Sequence, residues 1–306
     1  MTISYVWTIL KGAMMGIANI IPGVSGGTMA VSLGIYDNMI HALTHLTKDW
    51  KNSVKLLLPI GIGAGIGIVG FSYLIELLLS RFTFPTALAF IGLILGGLPI
   101  LFRAFKTGLD KTGKSLGLSH LIVFLLLFAV VVGMSLVRET GDSLAPIEIS
   151  AGSLLILFFV GILTSSTMII PGISGSLTLM IIGYYYSLLH TVTGFIDALR
   201  GLDLDQLIHF TIILFPFGLG FLAGLALISK LVDYLFTNYP SLTYSGILGL
   251  VLASPIAILL NTNAFARLQD GNTILFLVVG LIAGILCFYL TYYMGNKEST
   301  GSELHE

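Results

Sequence analysis

Ile20 Ile21 Pro22 Gly23 Val24 Ser25 Gly26 Gly27 returns 149 positions later as Ile169 Ile170 Pro171 Gly172 Ile173 Ser174 Gly175 Ser176, with six of eight positions identical. At the same offset Gly12 meets Gly161, Gly34 meets Gly183, Tyr36 meets Tyr185, His41 meets His190 and Thr44 meets Thr193. At an offset of 157, Pro59, Gly61, Gly63, Gly67 and Gly92 meet Pro216, Gly218, Gly220, Gly224 and Gly249, and Glu76 meets Asp233. A self-similarity this long reads as a duplication, with one repeat at 1–150 and a second at 151–306.

Around the motif the chain is too apolar for a globule in water. Of its 306 residues 56% are hydrophobic and 9% charged, and the mean hydropathy is +1.01, whereas a soluble domain carries roughly 25% charged residues. The composition is that of an integral membrane protein. The balance of 14 Lys and Arg against 15 Asp and Glu leaves a net charge of −1, with no basic excess to clamp a nucleic acid backbone. One cysteine, Cys287, excludes a disulfide framework and a Cys-rich metal site. No cofactor or metal is expected. The apolar N-terminus contains Lys11 and runs straight into Pro22 Gly23. It lacks the charged start and small-residue cleavage site of a signal peptide, so it reads as part of the mature fold.

A hydrocarbon core about 30 Å thick takes ~20 apolar helical residues to cross. Ten such segments stand between polar loops, at 5–21, 24–46, 56–80, 84–102, 119–137, 151–170, 173–195, 208–236, 242–262 and 273–294. A membrane β-barrel would need alternation of apolar and polar residues, and Leu121 to Val132 is apolar throughout. The expected class is all-α.

Five segments per half force the second repeat into the membrane upside down, the inverted-repeat plan of many secondary transporters. Loop charges agree. Lys48, Lys51 and Lys55, and then Arg103, Lys106, Lys111 and Lys114, mark two cytoplasmic loops by the positive-inside rule. The loop in the second half that corresponds to the first of these sets Arg200 against Asp197, Asp203 and Asp205 and is expected outside. Both termini are then cytoplasmic and the linker from Glu139 to Glu148 lies outside. No charged loop separates the segments flanking either Pro-Gly motif. Two re-entrant helical hairpins with their tips near the midplane, plus about six full spans, are therefore expected; ten full spans are the alternative, with the same inverted topology.

Proline disrupts the preceding helical turn and glycine tolerates dihedrals that other residues avoid, so Pro22 Gly23 and Pro171 Gly172 should break their helices inside the membrane. Irregular backbone at that depth is tolerated where it is buried in protein or lines a polar cavity. Broken helix starts offer N–H groups to an anion. Val24, Ser25, Gly26, Gly27 and Thr28, with Ile173, Ser174, Gly175 and Ser176, complete two tips rich in hydroxyls and small residues, an anion cradle suited to phosphate. Most other glycines, Gly61 to Gly70 among them, read as close helix packing.

Ionisable residues within membrane segments are costly and often functional. Glu76 and Asp233 are candidate carriers of a coupling proton or sodium ion, with Lys230, one turn before Asp233, as a candidate ion-pair partner. Arg81 and Arg103 flank the fourth segment and are candidate lipid-phosphate contacts or interfacial anchors. His41 and His190 read as single histidines without metal-ligand spacing.

The residues Lys11 Gly12 Ala13 Met14 Met15 Gly16, then Ile21 Pro22 Gly23 Val24 Ser25 Gly26 Gly27 Thr28, then Gly34 Ile35 Tyr36, closely resemble the bacterial polyprenyl-phosphate transporter family, formerly a domain of unknown function. The second Pro-Gly-x-Ser-Gly copy fits it too, and the resemblance covers nearly the whole chain. It implies a multi-pass protein of the bacterial cytoplasmic (inner) membrane, a flippase that recycles undecaprenyl phosphate from the outer to the inner leaflet for peptidoglycan and surface-polysaccharide synthesis. The second motif departs at Ser176 and Leu177, where the first has Gly27 and Thr28.

Two other functions fit the same residues. An anion channel or small-anion carrier would use the same broken-helix tips. An intramembrane serine hydrolase would use Ser25 or Ser174 in its G-x-S-G setting with His41 or His190 as base, but a mirrored second nucleophile serves no hydrolase, and the chain is not expected to be an enzyme. Its partners are the lipid substrate and the bilayer, and the sequence is compatible with a homo-oligomer.

Overall fold

The computed structural model describes residues 5–20, 25–113, 115–136, 147, 149–262, 264–265 and 273–302. Every regular element among them is helical: α1 (Tyr5–Ile20), α2 (Gly26–Ser32), α3 (Tyr36–Thr44), α4 (Trp50–Arg81), α5 (Thr83–Thr112), α6 (Leu118–Leu136), α7 (Ala151–Ile169), α8 (Gly175–Ile181), α9 (Tyr185–Gly201), α10 (Leu204–Asn238), α11 (Pro240–Asn261) and α12 (Thr273–Ser302). Seven described helices are long and apolar enough to cross a membrane, namely α4, α5, α6, α7, α10, α11 and α12. Six of them match the apolar segments read at 56–80, 84–102, 119–137, 208–236, 242–262 and 273–294. The seventh, α7, is the arm that leads into the second Pro-Gly motif.

The segments expected at 24–46 and 173–195 are not continuous helices. Each is cut into a seven-residue helix, a turn and a second helix. The cause is local. Gly34 and Gly183 take left-handed φ values of 70° and 77°, and each sits just past a helix cap. Gly34 N–H donates to Val31 O and Ile35 N–H to Ala30 O, both at 3.0 Å; Gly183 N–H donates to Met180 O at 3.0 Å and Tyr184 N–H to Leu179 O at 2.9 Å. That pair of bonds is the Schellman termination, which glycine completes at no steric cost.

Helix pairing repeats as the sequence does. Gly12 faces the Ile60 backbone and Gly16 that of Ala64, so α1 and α4 run parallel, and Gly63 and Gly67 face Ile9 and Ala13 in return. In the second half Gly161 faces Phe217, Gly220 faces Phe158 and Gly224 faces Ile162, each the exact counterpart. A Cβ at any of these positions would overlap a neighbouring backbone carbonyl, which is why small residues line the seam. Gly61 and its counterpart Gly218 meet nothing within 4 Å. Because α1 and α4 run parallel, the chain from the end of α1 to the start of α4 must come back to the side on which α1 began. The same holds between α7 and α10.

The last helices of the two halves are exchanged. Helix α5 packs on α12, with Gly92 against Gly284 and Gly96 against Phe288, while α11 packs on α6, with Gly249 against Phe124. His120 of α6 is buried at that second seam; its Nε2 lies 3.2 Å from Ser241 Oγ, and Ser245 Oγ donates to its carbonyl at 2.7 Å. The exchange makes the compact units differ from the sequence repeats. One unit comprises residues 1–136, 170–173 and 229–306, and the other 137–169 and 174–228. In the first, Val131, Leu250, Ala253 and Ala257 form a buried cluster against which Ile170 and Ile173 pack. In the second, Leu157, Val160, Leu188 and Ile213 do so.

Candidate functional site

In the first motif Pro22, Gly23 and Val24 lie outside the described residues. Ser25 is the N-cap of α2, in extended conformation, and its Oγ accepts the Gly27 N–H at 3.2 Å. The Gly26 N–H goes to Asn19 Oδ1 at 2.9 Å. In the second motif α7 stops at Ile169, Gly172 takes a φ of 84°, and Ser174 caps α8 by accepting the Leu177 N–H at 3.5 Å. The expected helix break is present there. Pro171 and Gly172 are buried; Ile173, Ser174 and Gly175 are half-buried, and the Ser176 side chain lies outside the description.

The two motifs touch. The Gly172 N–H donates to Thr28 Oγ1 at 2.6 Å in a buried bond, and the backbone of Leu250 on α11 closes on Gly172 from behind. Thr28 is fully buried. The N–H groups of Gly26, Gly27, Gly172 and Leu177 all reach protein acceptors, so an anion at these tips would have to displace Asn19, Ser25, Thr28 or Ser174 to use them.

A second polar feature was not foreseen. Where α3, the end of α5 and the α10–α11 corner converge, an open cleft of about 700 Å³ is lined by Asp37, Asn38, His41, Lys111, Asp233 and Tyr244 among others. The Tyr244 hydroxyl donates to Asp37 Oδ2. His41 Nδ1 lies 3.7 Å from Asp233 Oδ1, and the His45 ring stacks on His41 with centroids 4.1 Å apart. The described ion pair of Asp233 is thus with His41 rather than with Lys230, which is exposed. Glu76 lies in the last two turns of α4, and its side chain is outside the description. Arg81 and Arg103 are exposed and do not line the cleft.

The sequence matches the undecaprenyl phosphate translocase-like family over residues 15–273. The chain belongs to that family. It is 31% identical over 292 residues to a polyprenyl-phosphate transporter of Staphylococcus aureus, covering 94% of this chain and 95% of that protein. It is 29% identical over 268 residues to a polyprenyl-phosphate transporter of Vibrio cholerae serotype O1, covering 83% and 77%. No solved structure matches at a significant level. The family and both relatives carry the names of transporters and not of enzymes, so the hydrolase reading of Ser25 and Ser174 is set aside.

Both motif copies and every cleft residue fall inside the span matched by the undecaprenyl phosphate translocase-like family. Reasoning from sequence missed Asp37, Asn38, His45, Lys111 and Tyr244 as parts of one site. Two signals were present. Asp37 follows a repeated Gly-x-Tyr but has Tyr186 as its counterpart, and His45 stands four residues after His41, one helical turn away. Lys11 was noted as a charge in an apolar run and as part of the family resemblance, with no structural role given to it. It is 1% exposed, and its Nζ donates to the Leu33 carbonyl at 3.0 Å, so it braces the turn at Gly34 from beneath.

Proposed function

We propose that the protein carries polyprenyl phosphate across the bacterial cytoplasmic membrane, from the outer to the inner leaflet, returning undecaprenyl phosphate for cell-envelope synthesis. The names of both relatives support the substrate. The observation that carries the reading is the buried hydrogen bond between Gly172 and Thr28, because it joins the two copies of the one motif that the duplication repeats.

A polyprenyl tail is already soluble in the bilayer, so transport reduces to sheltering one charged headgroup across about 30 Å of hydrocarbon. Broken helices can do this where their loose backbone is buried in protein or lines a polar cavity. The parallel course of α1 and α4 supports a first hairpin that enters and leaves on one side, the matching course of α7 and α10 supports a second hairpin of the same kind, and the acidic loop at Asp197, Asp203 and Asp205 supports its entry from the opposite side. The lysine-rich approaches to α4 and the exit of α5 support cytoplasmic termini. On that topology the cleft at Lys111 opens toward the cytoplasm, where the headgroup leaves. Cations, protons or sodium, accompany the phosphate, with Glu76 and Asp233 as their carriers.

The exchange of α6 and α12 between halves bears on the motion. Rocking of residues 1–150 against 151–306 as intact bodies would tear α5 from α12 and α6 from α11, so alternating access has to keep those seams closed.

Reconstitution in liposomes with a fluorescent polyprenyl phosphate tests the function. Protein-dependent loss of outer-leaflet signal to a membrane-impermeant quencher is expected to fall as lipid moves inward. Release of entrapped inorganic phosphate without lipid exchange would replace this reading by a small-anion channel.

A further inference from the structure

We infer that His41, His45 and Asp233 form a binding site for a divalent transition-metal ion, zinc in character, at the edge of the polar cleft. The inference does not depend on lipid transport.

His41 lies in the last turn of α3, His45 is the residue that caps that helix, and Asp233 is on α10; their ligand atoms all lie within 4.8 Å of one another. Histidines four residues apart share one face of a helix, a spacing used for metal chelation on helices. Each ring has a nitrogen to give. His45 Nδ1 sits 3.1 Å from the His41 carbonyl oxygen. A carbonyl only accepts, so Nδ1 carries the hydrogen and the lone pair of the neutral ring is on Nε2. Fixing one ring nitrogen on a backbone carbonyl is what metal-bound histidines ordinarily do. His41 Nδ1 and Asp233 Oδ1 are 3.7 Å apart, long for a hydrogen bond. Two ligands at ~2.0–2.1 Å from one tetrahedral zinc stand roughly 3.3 Å apart, so a small rotation about the side chains brings them into register.

Two imidazoles and one carboxylate select zinc-like ions over magnesium or calcium, which take oxygen ligands. Three protein ligands leave a coordination position open, and His41 and Asp233 both line the cleft. Lys111 and Asp37 share that cleft, and Asp37 is engaged by Tyr244.

The test uses full-length protein in detergent, with any purification tag removed, titrated with Co²⁺ as a spectroscopic stand-in for zinc and with Zn²⁺ in competition. One Co²⁺ per chain is expected, with visible absorption bands of a four- or five-coordinate site that zinc abolishes. His41→Ala, His45→Ala and Asp233→Asn should each weaken binding at least about tenfold, while His190→Ala and His209→Ala should leave it unchanged. The thermal transition of each apo variant reports its fold, and His45→Gln, which keeps the ring's volume in part, is the variant to use if the alanine form does not fold. Absence of the bands in the native protein, or equal binding by the His41 and His190 variants, would overturn the site.

Discussion

The Gly172 N–H and the Thr28 hydroxyl, 144 residues apart in sequence, share a buried hydrogen bond of 2.6 Å that ties the second Pro-Gly turn to the first short helix. The bond is one-sided. Thr28 has Leu177 as its counterpart in the second motif, and leucine has no acceptor to offer in return. The departure of the second motif from the first therefore has a structural consequence: the duplication is no longer symmetric where its two copies meet.

Thr28→Val keeps the shape of the side chain and removes the acceptor. The Gly172 N–H is then buried without a partner, which costs about 1–3 kcal/mol. A lower thermal transition in detergent and slower lipid exchange are expected, with Thr28→Ser restoring both. Exchange at the native rate in the valine variant would remove this contact from the transport machinery.

The glycine seams give a paired test. Gly63→Ala places a methyl group on the Ile9 carbonyl and Gly220→Ala on that of Phe158, whereas Gly61→Ala and Gly218→Ala project into open space. Overpacking costs about 1–3 kcal/mol, so the first pair should unfold at clearly lower temperature than the second. Four equal transitions would mean that α1 does not lie against α4, nor α7 against α10, as described.

These seams also mark what the sequence made legible. Gly12/Gly161, Gly63/Gly220 and Gly92/Gly249 repeat because a helix that must approach another backbone has few residue choices, and such a constraint survives in the order of letters. The all-α class followed from Leu121 to Val132, because an unbroken apolar run lacks the alternation of a barrel strand, and a helix satisfies its own backbone in hydrocarbon. The division of the 24–46 segment did not emerge, although Gly34 was in plain view, because apolar residues continue on both sides of the turn. The cleft was illegible for a different reason. Asp37, Lys111, Asp233 and Tyr244 come from four helices, and no periodicity within any one of them announces the meeting.

Topology has a direct test. In a Cys287→Ser background, Asp142→Cys should react with an impermeant thiol reagent added outside intact cells, and Lys48→Cys only after the membrane is opened. Labelling of position 142 from the cytoplasmic side alone would end the case for inversion.

Lys11 predicts a stability effect that no surface lysine would give. Its ammonium is buried against the Leu33 carbonyl, and Lys11→Met preserves length while removing the donor. Leaving that carbonyl without its donor costs about 1–3 kcal/mol, offset in part because the cost of burying a charge also disappears. A change in lipid exchange larger than the change in thermal stability is expected, because the lysine braces the turn between α2 and α3. If both stay native, Lys11 has no part in holding that turn.

What accompanies the phosphate decides the direction of net transport. Moving one negative charge toward a negative interior costs about 2.3 kcal/mol per 100 mV, roughly a fiftyfold bias against uptake at that potential by the 1.36 kcal/mol-per-decade conversion. A cation moving with each headgroup cancels the bias. In liposomes held at an inside-negative diffusion potential, lipid uptake by the native protein should rise when a proton or sodium gradient is added, and the ion that raises it is the coupling ion. Glu76→Gln removes one carboxylate of the matched pair and should abolish the stimulation while leaving exchange at zero potential intact. Asp233→Asn should reduce exchange at zero potential as well, because its carboxylate also holds His41 at the cleft. Full stimulation in both variants would take the carboxylates out of coupling and leave the charge of the headgroup to be balanced elsewhere.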